Sequence, residues 1–421
     1  MLLSLKVSNC FIYHSEVEFT MQANMHYKRF PNNVAAVEGV NVLKTAVLFG
    51  PNNSGKTNFV RILSALKGIL LGQGGALQSN LFSDDPVVEV SVSFLEGGAE
   101  NLFAFQYDVR KREYVYERFA EISRDKHKNV KTTDLFVRDS LKKRYAAEDA
   151  GLAAAMPVAA RNNILVYLVD TEAFPCLKRI KDRMIAFASR LDLVDMNHIP
   201  IQKTIEMLKA SGEKQRKIAS FVRNADLYLD DFAYLPDDEL KIVLETQNDG
   251  DVNSQAHVLP SGSPLTEMLH LASTYKGVRV PSIAFDSTGT KKMAALASYV
   301  LDALENGRIL VIDELDSSLH FRLTRAIIAL FNNELNRHAQ LIATVHDVSL
   351  MDCRTLFRKE QIWFTHKDRE DAYLYSLAEF TTEKTGVRES SSLIEKYRKG
   401  AFGALPEPDL FESLLEVTQD G

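Results

Sequence analysis

Cysteine is scarce in this chain. Cys10, Cys176 and Cys353 lie far apart and form no Cys-x-x-Cys pair, which argues against both a zinc site and a disulfide framework. Long apolar runs are missing too. No stretch approaches the roughly 18 residues that a membrane span needs, and even Leu152–Ala160 is broken by Pro157. The opening Met1-Leu2-Leu3-Ser4-Leu5-Lys6-Val7 has neither a basic leader nor a small-residue cleavage site, so it reads as a strand rather than a signal peptide. A cytoplasmic protein without membrane contact is expected. Nor does charge of one sign dominate: 50 Lys and Arg against 56 Asp and Glu leave a net charge of −6. No global field draws such a chain onto nucleic acid, and any such contact needs a local patch. What is present is the composition of an ordinary globular protein, 46% hydrophobic and 25% charged over 421 residues, enough for two or three folding units.

One octet stands out. Gly50-Pro51-Asn52-Asn53-Ser54-Gly55-Lys56-Thr57 fits G-x-x-x-x-G-K-[ST], between the apolar run Thr45–Phe49 and the helix-like stretch Asn58–Leu71. Glycines let the backbone wrap an anion with its N–H groups turned inward, and the helix start adds partial positive charge. Lys56 is expected to reach the β- and γ-phosphates of a nucleotide, with the Thr57 hydroxyl on Mg²⁺.

Downstream, Val87–Phe94 alternates apolar and polar residues, Leu102–Val109 follows, and Glu113–Phe119 is rich in aromatics; together they predict an antiparallel meander. Between Asp108 and Arg144 lie twelve Lys and Arg against seven Asp and Glu. With acids interleaved, this reads first as a solvated surface and second as a nucleic-acid or partner-binding face. Leu152 to Phe221 reads as helical, an inserted lobe whose heptads do not persist into a coiled coil. Asp226–Asp251 is an acidic run of the kind usually found on a solvated face.

Arg308-Ile309-Leu310-Val311-Ile312-Asp313-Glu314 has the form of a buried parallel strand whose C-terminal end meets a ligand. Asp313 would hold Mg²⁺ through water, and Glu314 would polarise the attacking water. Ile164–Asp170, followed by Glu172, competes for that role. Three neighbours favour Asp313: Ser287-Thr288-Gly289-Thr290-Lys291 before a helix, the loop Leu315–His320, and His346 after the strand-like Leu341–Val345.

In that order, these motifs resemble an ABC-type ATPase head, of the kind shared by transporters, SMC-like repair proteins and OLD-like nucleases. The chain looks more like the compact AAA-labelled ATP-binding proteins of bacterial anti-phage and abortive-infection operons. Asp313-Glu314-Leu315-Asp316-Ser317-Ser318-Leu319-His320 and the tail Tyr397-Arg398-Lys399-Gly400-Ala401-Phe402-Gly403-Ala404-Leu405-Pro406 are similar to theirs. The resemblance implies an α/β P-loop NTPase of ABC-ATPase type with an antiparallel β-subdomain and an inserted helical lobe. It divides into head residues 1–107, a lobe at 108–255 and head residues 256–421.

It further implies ATP and Mg²⁺ as cofactors and a head-to-tail dimer. In that dimer Ser287 and Gly289 of one subunit, with Thr290, close over the γ-phosphate held by Lys56 of the other. Gly289 would leave room for the phosphate, and His346 would contact the γ-phosphate and sense its loss. The nucleotide-binding set is then Gly50 to Asn58 with Ser287, Gly289 and Thr290; the catalytic set is Lys56, Glu314 and His346. Thr290 departs from the transporter-type signature, and Gln78 is the one candidate for the glutamine that joins head and lobe.

Fewer than eighty residues follow His346, too few for a nuclease domain. Gln361–Thr365 and Ala372–Leu377 read as a hairpin around Lys367–Asp371, with Asp368, Glu370 and Asp371 as turn residues rather than metal ligands. Effector chemistry is therefore expected in a separately encoded partner, a toxin or nuclease, controlled by ATP-dependent dimerisation in an anti-phage system. The alternative is an SMC-like repair or recombination ATPase acting on DNA ends.

Overall fold

A computed structural model describes residues 1–124, 130–210, 212–225, 228–240, 264–369, 371–380 and 392–405. Asp226 and the second part of the acidic run, Lys126 and Lys128 of the basic stretch, Glu370 and Pro406 lie outside them. The chain divides into two compact units, a larger one of Leu2–Ser189 with Thr344–Gly421, and a smaller one of Arg190–Ala343. These limits differ from the expected 107/108 and 255/256.

The larger unit begins with β1 (Leu2–Ser8), β2 (Val17–Thr20) and the hairpin β3 (Val34–Val37) with β4 (Val40–Leu43). Strand β5 (Thr45–Phe49), buried at every position, leads through the glycine octet into helix α1 (Lys56–Leu70). That helix buries Phe59, Ile62, Leu63, Leu66, Ile69 and Leu70, a stripe at helical spacing.

The expected meander is present and longer than its three strands: β6 (Val87–Glu96), β7 (Ala99–Asp108), β8 (Glu113–Arg124), β9 (Val130–Asp139) and β10 (Arg144–Ala147). With β1 and β2 they form a seven-stranded antiparallel sheet in the order β10-β9-β8-β7-β6-β1-β2. Gly97 and Gly98, at φ 66° and 75°, make the tight turn between β6 and β7 that a left-handed backbone requires. Short α2 (Ala150–Ala155) and α3 (Pro175–Ser189) follow. Phe187 of α3 stacks on Phe94 at 4.3 Å, and Arg183 reaches Asn101 and Glu121.

In the smaller unit the helical reading of Leu152–Phe221 is corrected, because Leu191–Asp195 is a strand, β11. Its alternating Leu-Asp-Leu-Val-Asp continued an apolar pattern without breaking it, and only its partner distinguishes the two states. Helices α4 (Gln202–Ala210) and α5 (Gly212–Asn224) come next, then β12 (Asp231–Tyr234), α6 (Pro264–Leu269), β13 (Leu271–Tyr275), β14 (Val278–Pro281) and α7 (Ser282–Phe285). Helix α8 (Thr288–Asn306) packs Ala294 and Ala297 against Ile205, Ile218 and Val222. Strands β15 (Ile309–Asp313) and β16 (Gln340–Val345) flank α9 (Phe321–Asn332), and β11, β15 and β16 pair in parallel.

The chain re-enters the larger unit within β16. There β17 (Ile362–Lys367) pairs in parallel with β5 and antiparallel with β18 (Ala372–Ser376), the expected hairpin. Asp371 N donates to Asp368 Oδ1 at 2.9 Å within the turn, and the Asp371 carboxylate accepts from the backbone of Ala372 and, from a distant loop, of His14 and Ser15. The tail begins with α10 (Leu393–Arg398). Tyr397 and Phe402 stack on Phe364 of β17, and the Tyr397 hydroxyl donates to Ala404 O at 2.7 Å. Among the described residues no helix is long and apolar enough to cross a membrane.

Candidate nucleotide site

The phosphate loop is built from the larger unit's own elements. Gly55, at φ 116°, caps α1, and Asn53 also takes a left-handed backbone, at φ 61°. A side chain at Gly55 would come within 2.7 Å of Ile12 Cδ1, and one at Gly50 within 2.5 Å of the Thr365 carbonyl. Ser54 and Thr365 share a 2.6 Å hydroxyl hydrogen bond, and Tyr13 donates to Gly55 O at 3.1 Å. Lys56 is buried, and its Nζ donates to Gly50 O at 2.6 Å and Pro51 O at 2.9 Å. The two carbonyl oxygens satisfy the buried ammonium and hold it folded back against the first residues of the loop, within reach of any phosphate that the loop binds. Asn52, Asn53 and Thr57 are exposed, Pro51 and Asn58 half-buried.

Gln78 lines the same 880 Å³ cleft as Asn58, Arg61 and Lys67, and its carbonyl accepts from Phe11 N at 2.9 Å. The segment after α1 is thus tied to the residues that abut Gly55. His346, directly after β16, is exposed, so it is no core histidine.

The smaller unit holds Ser287, Gly289, Thr290, Asp313 and Glu314. Strand β15 is buried throughout and ends at Asp313. Glu314 follows at φ 56°, a left-handed backbone unusual for glutamate. Ser287 caps α8: its Oγ accepts from Thr290 N at 3.1 Å and shares a 2.9 Å bond with the Thr290 hydroxyl. A side chain at Gly289 would lie 2.8 Å from the Ser318 carbonyl. Close approach of the loop after β15 is thus a reason for glycine there that the expectation of phosphate room did not include.

Asp286, one residue before the cap, is buried and accepts from Ser273 at 2.6 Å, Ser282 at 2.5 Å and Tyr275 at 2.8 Å. Three hydroxyls from β13 and α7 therefore hold the chain just ahead of Ser287. The rival carboxylate run is excluded: Leu165–Tyr167 is a single 3₁₀ turn with Ile164, Leu165 and Val166 buried, not a strand delivering Asp170.

The family described as AAA domain, putative AbiEii toxin, Type IV TA system, matches residues 46–352, from the phosphate-loop strand to just beyond His346. The chain belongs to this family. It is a P-loop ATPase of AAA type. No curated protein matches it significantly. Solved structures similar to it include the SMC head domain from Thermotoga maritima, at 13% identity and TM-score 0.42 over 89% of this chain and 98% of that one. Another is an SMC head bound to the C-terminal winged-helix domain of ScpA, at 11% identity and TM-score 0.44 over 89% and 97%. A third is an Smc head with an extended coiled coil bound to the C-terminal domain of ScpA, from Pyrococcus furiosus, at 11% identity and TM-score 0.38 over 94% and 99%.

Several residues of this AAA domain's site carry no sequence signal. Thr365 and Tyr13 meet the phosphate loop from distant segments, and Asn197, after β11, donates to Glu314 Oε2 at 2.7 Å. Lys292, next to a lysine of the signature stretch, reaches Ser317 Oγ at 3.0 Å. All of these contacts arise from packing, which no local pattern announces.

Proposed function

We propose that this AAA-type protein binds and hydrolyses ATP in a head-to-tail homodimer, or an assembly of such dimers, and thereby controls a separately encoded toxin or nuclease in bacterial anti-phage defence. Support for ATP binding comes above all from buried Lys56 held against the first residues of a glycine-shaped loop. The defence setting rests on the toxin–antitoxin wording of the family that covers residues 46–352. Among the described residues no group of three or more His, Cys, Asp or Glu side chains gathers into a metal cluster. That suits Mg²⁺, which binds one or two protein oxygens and otherwise substrate phosphates and water. Thr57 and Asp313 would hold it, and bound Mg²⁺ would neutralise phosphate charge. Glu314 would orient water, Ser287 would donate its hydroxyl to the γ-phosphate of the partner's nucleotide, and His346 would contact that phosphate. Because ATP favours the closed dimer, hydrolysis would shift the population and alter the effector-facing surface.

Phosphate release from purified protein tests this directly. Glu314→Gln should slow hydrolysis by about 10²-fold or more while retaining ATP, and Lys56→Ala should abolish nucleotide binding. Normal hydrolysis by Glu314→Gln would overturn the assignment of the base. The DNA-end alternative is weakened in part, since three of the twelve cations of the basic stretch, Arg118, Arg124 and Arg138, pair with Asp134, Glu100 and Glu117. Salt-sensitive retention of DNA by the protein would restore it.

A further inference from the structure

Strand β11 pairs with β15 in parallel, with Asp195 opposite Asp313. The ladder continues one residue further, Met196 N donating to Asp313 O at 3.1 Å. This places the turn after β11 beside the carboxylate end of β15. Asn197 is exposed there, yet both ends of its amide are engaged. Its Nδ2 donates to Glu314 Oε2 at 2.7 Å, and its Oδ1 accepts from Ser317 Oγ at 2.9 Å. Lys292 Nζ, from α8, lies 3.0 Å from Ser317 Oγ, 3.3 Å from Ser318 Oγ and 3.5 Å from Asn197 Oδ1. Asn197 is therefore fixed from behind by the helix that Ser287 caps and by the loop that follows Glu314.

We infer that Asn197 is the positioning residue for Glu314, and that through Ser317 and Lys292 it ties the carboxylate's orientation to α8. The inference rests on the reading of Glu314 as the group that orients water. An amide donor on a carboxylate oxygen restricts the side chain to the rotamer in which that bond is made, and so sets where the carboxylate meets water. The left-handed backbone of Glu314 aims the side chain, and a conformation of that kind persists where its surroundings over-determine it. Four residues from three separate segments supply those surroundings. A carboxylate misplaced by about 1 Å loses on the order of 10²-fold in rate.

Asn197→Asp keeps the shape but replaces the donor with a repelling oxygen. We expect single-turnover ATP hydrolysis to slow by about tenfold or more, with affinity for a fluorescent ATP analogue and the melting temperature unchanged. In a Glu314→Gln background the same change should have no further effect, since the group it positions is already gone. Were Asn197→Asp to lower the melting temperature, Asn197→Ala would be measured in its place, with the same expectation. Hydrolysis within about twofold of wild type, a loss of affinity that accounts for the slower rate, or a further independent loss on top of Glu314→Gln would each overturn the inference. A slow Glu314→Gln beside a normal Asn197→Asp would sink this assignment alone. Normal hydrolysis by Glu314→Gln would remove the function from which it starts.

Discussion

Gly50 is glycine because Thr365 occupies the space a side chain would need, with the Thr365 hydroxyl 2.3 Å and its carbonyl 2.5 Å from where a Cβ would stand. The motif marks this glycine in the sequence, but the residue that enforces it sits on β17 and leaves no local trace. Gly50→Ala must push β17 away or distort the loop, since the carbonyl is backbone and cannot swing aside. Overpacking of this kind costs roughly 1–3 kcal/mol, so both the melting temperature and the affinity for nucleotide should fall. An alanine variant with wild-type melting and binding would show that the loop has slack there. Gly289 follows the same logic against the Ser318 carbonyl. In each case residue type was legible and its physical cause was not.

Elements were legible where periodicity was unambiguous. Helix α1, the β6–β8 strands and the β17–β18 hairpin follow their patterns, whereas β11 hid in an apolar stretch that reads equally as helix. The segment Ile164–Asp170, an apolar run that competed for the carboxylate-ended strand, is neither long helix nor strand but holds a 3₁₀ turn, and a buried ion pair supplies one reason. Arg138 Nη1 donates to Glu117 Oε2 at 2.9 Å, and its Nη2 donates to Ala159 O and Ala160 O. Leu165 N donates to Glu117 Oε1 at 2.8 Å. The backbone is thus pinned onto β8 and β9 as a turn, with that N–H already committed.

Burial pushes the Glu117 carboxyl up from its ordinary 4.5 to about 6, against the pull of Arg138. A raised folded-state value means that this group's contribution to stability is complete below about pH 4.5 and is lost as pH rises through about 6. Relative to Glu117→Gln, which does not titrate, wild type should lose about 2 kcal/mol between pH 4 and 7, measured by urea unfolding at each pH. A difference that stays flat across that window would contradict the argument.

At the scale of the molecule, the proposed dimer makes a prediction that no single subunit can meet. Lys56→Ala removes the loop half of a composite site, and Ser287→Arg blocks the capping half. Either protein alone should be inactive, yet their mixture should hydrolyse ATP, because a two-fold heterodimer rebuilds one intact site. Continued inactivity of the mixture would argue against sharing of the site between subunits. The division at Ser189 and Ala343 was not legible, because a unit boundary depends on which segments touch, and the chain crosses it without a linker-like sequence.

By itself the sequence determined the phosphate loop, the carboxylate-ended strand, the α/β class and the order of motifs, because glycine spacing and apolar runs act over a few residues and survive any packing. Tertiary structure decided which side chains meet those motifs: Thr365 at Gly50, Asp286 before Ser287, and Asn197 on Glu314. Such contacts join segments far apart in the chain. Their geometry exists only once strand register and helix packing have been set.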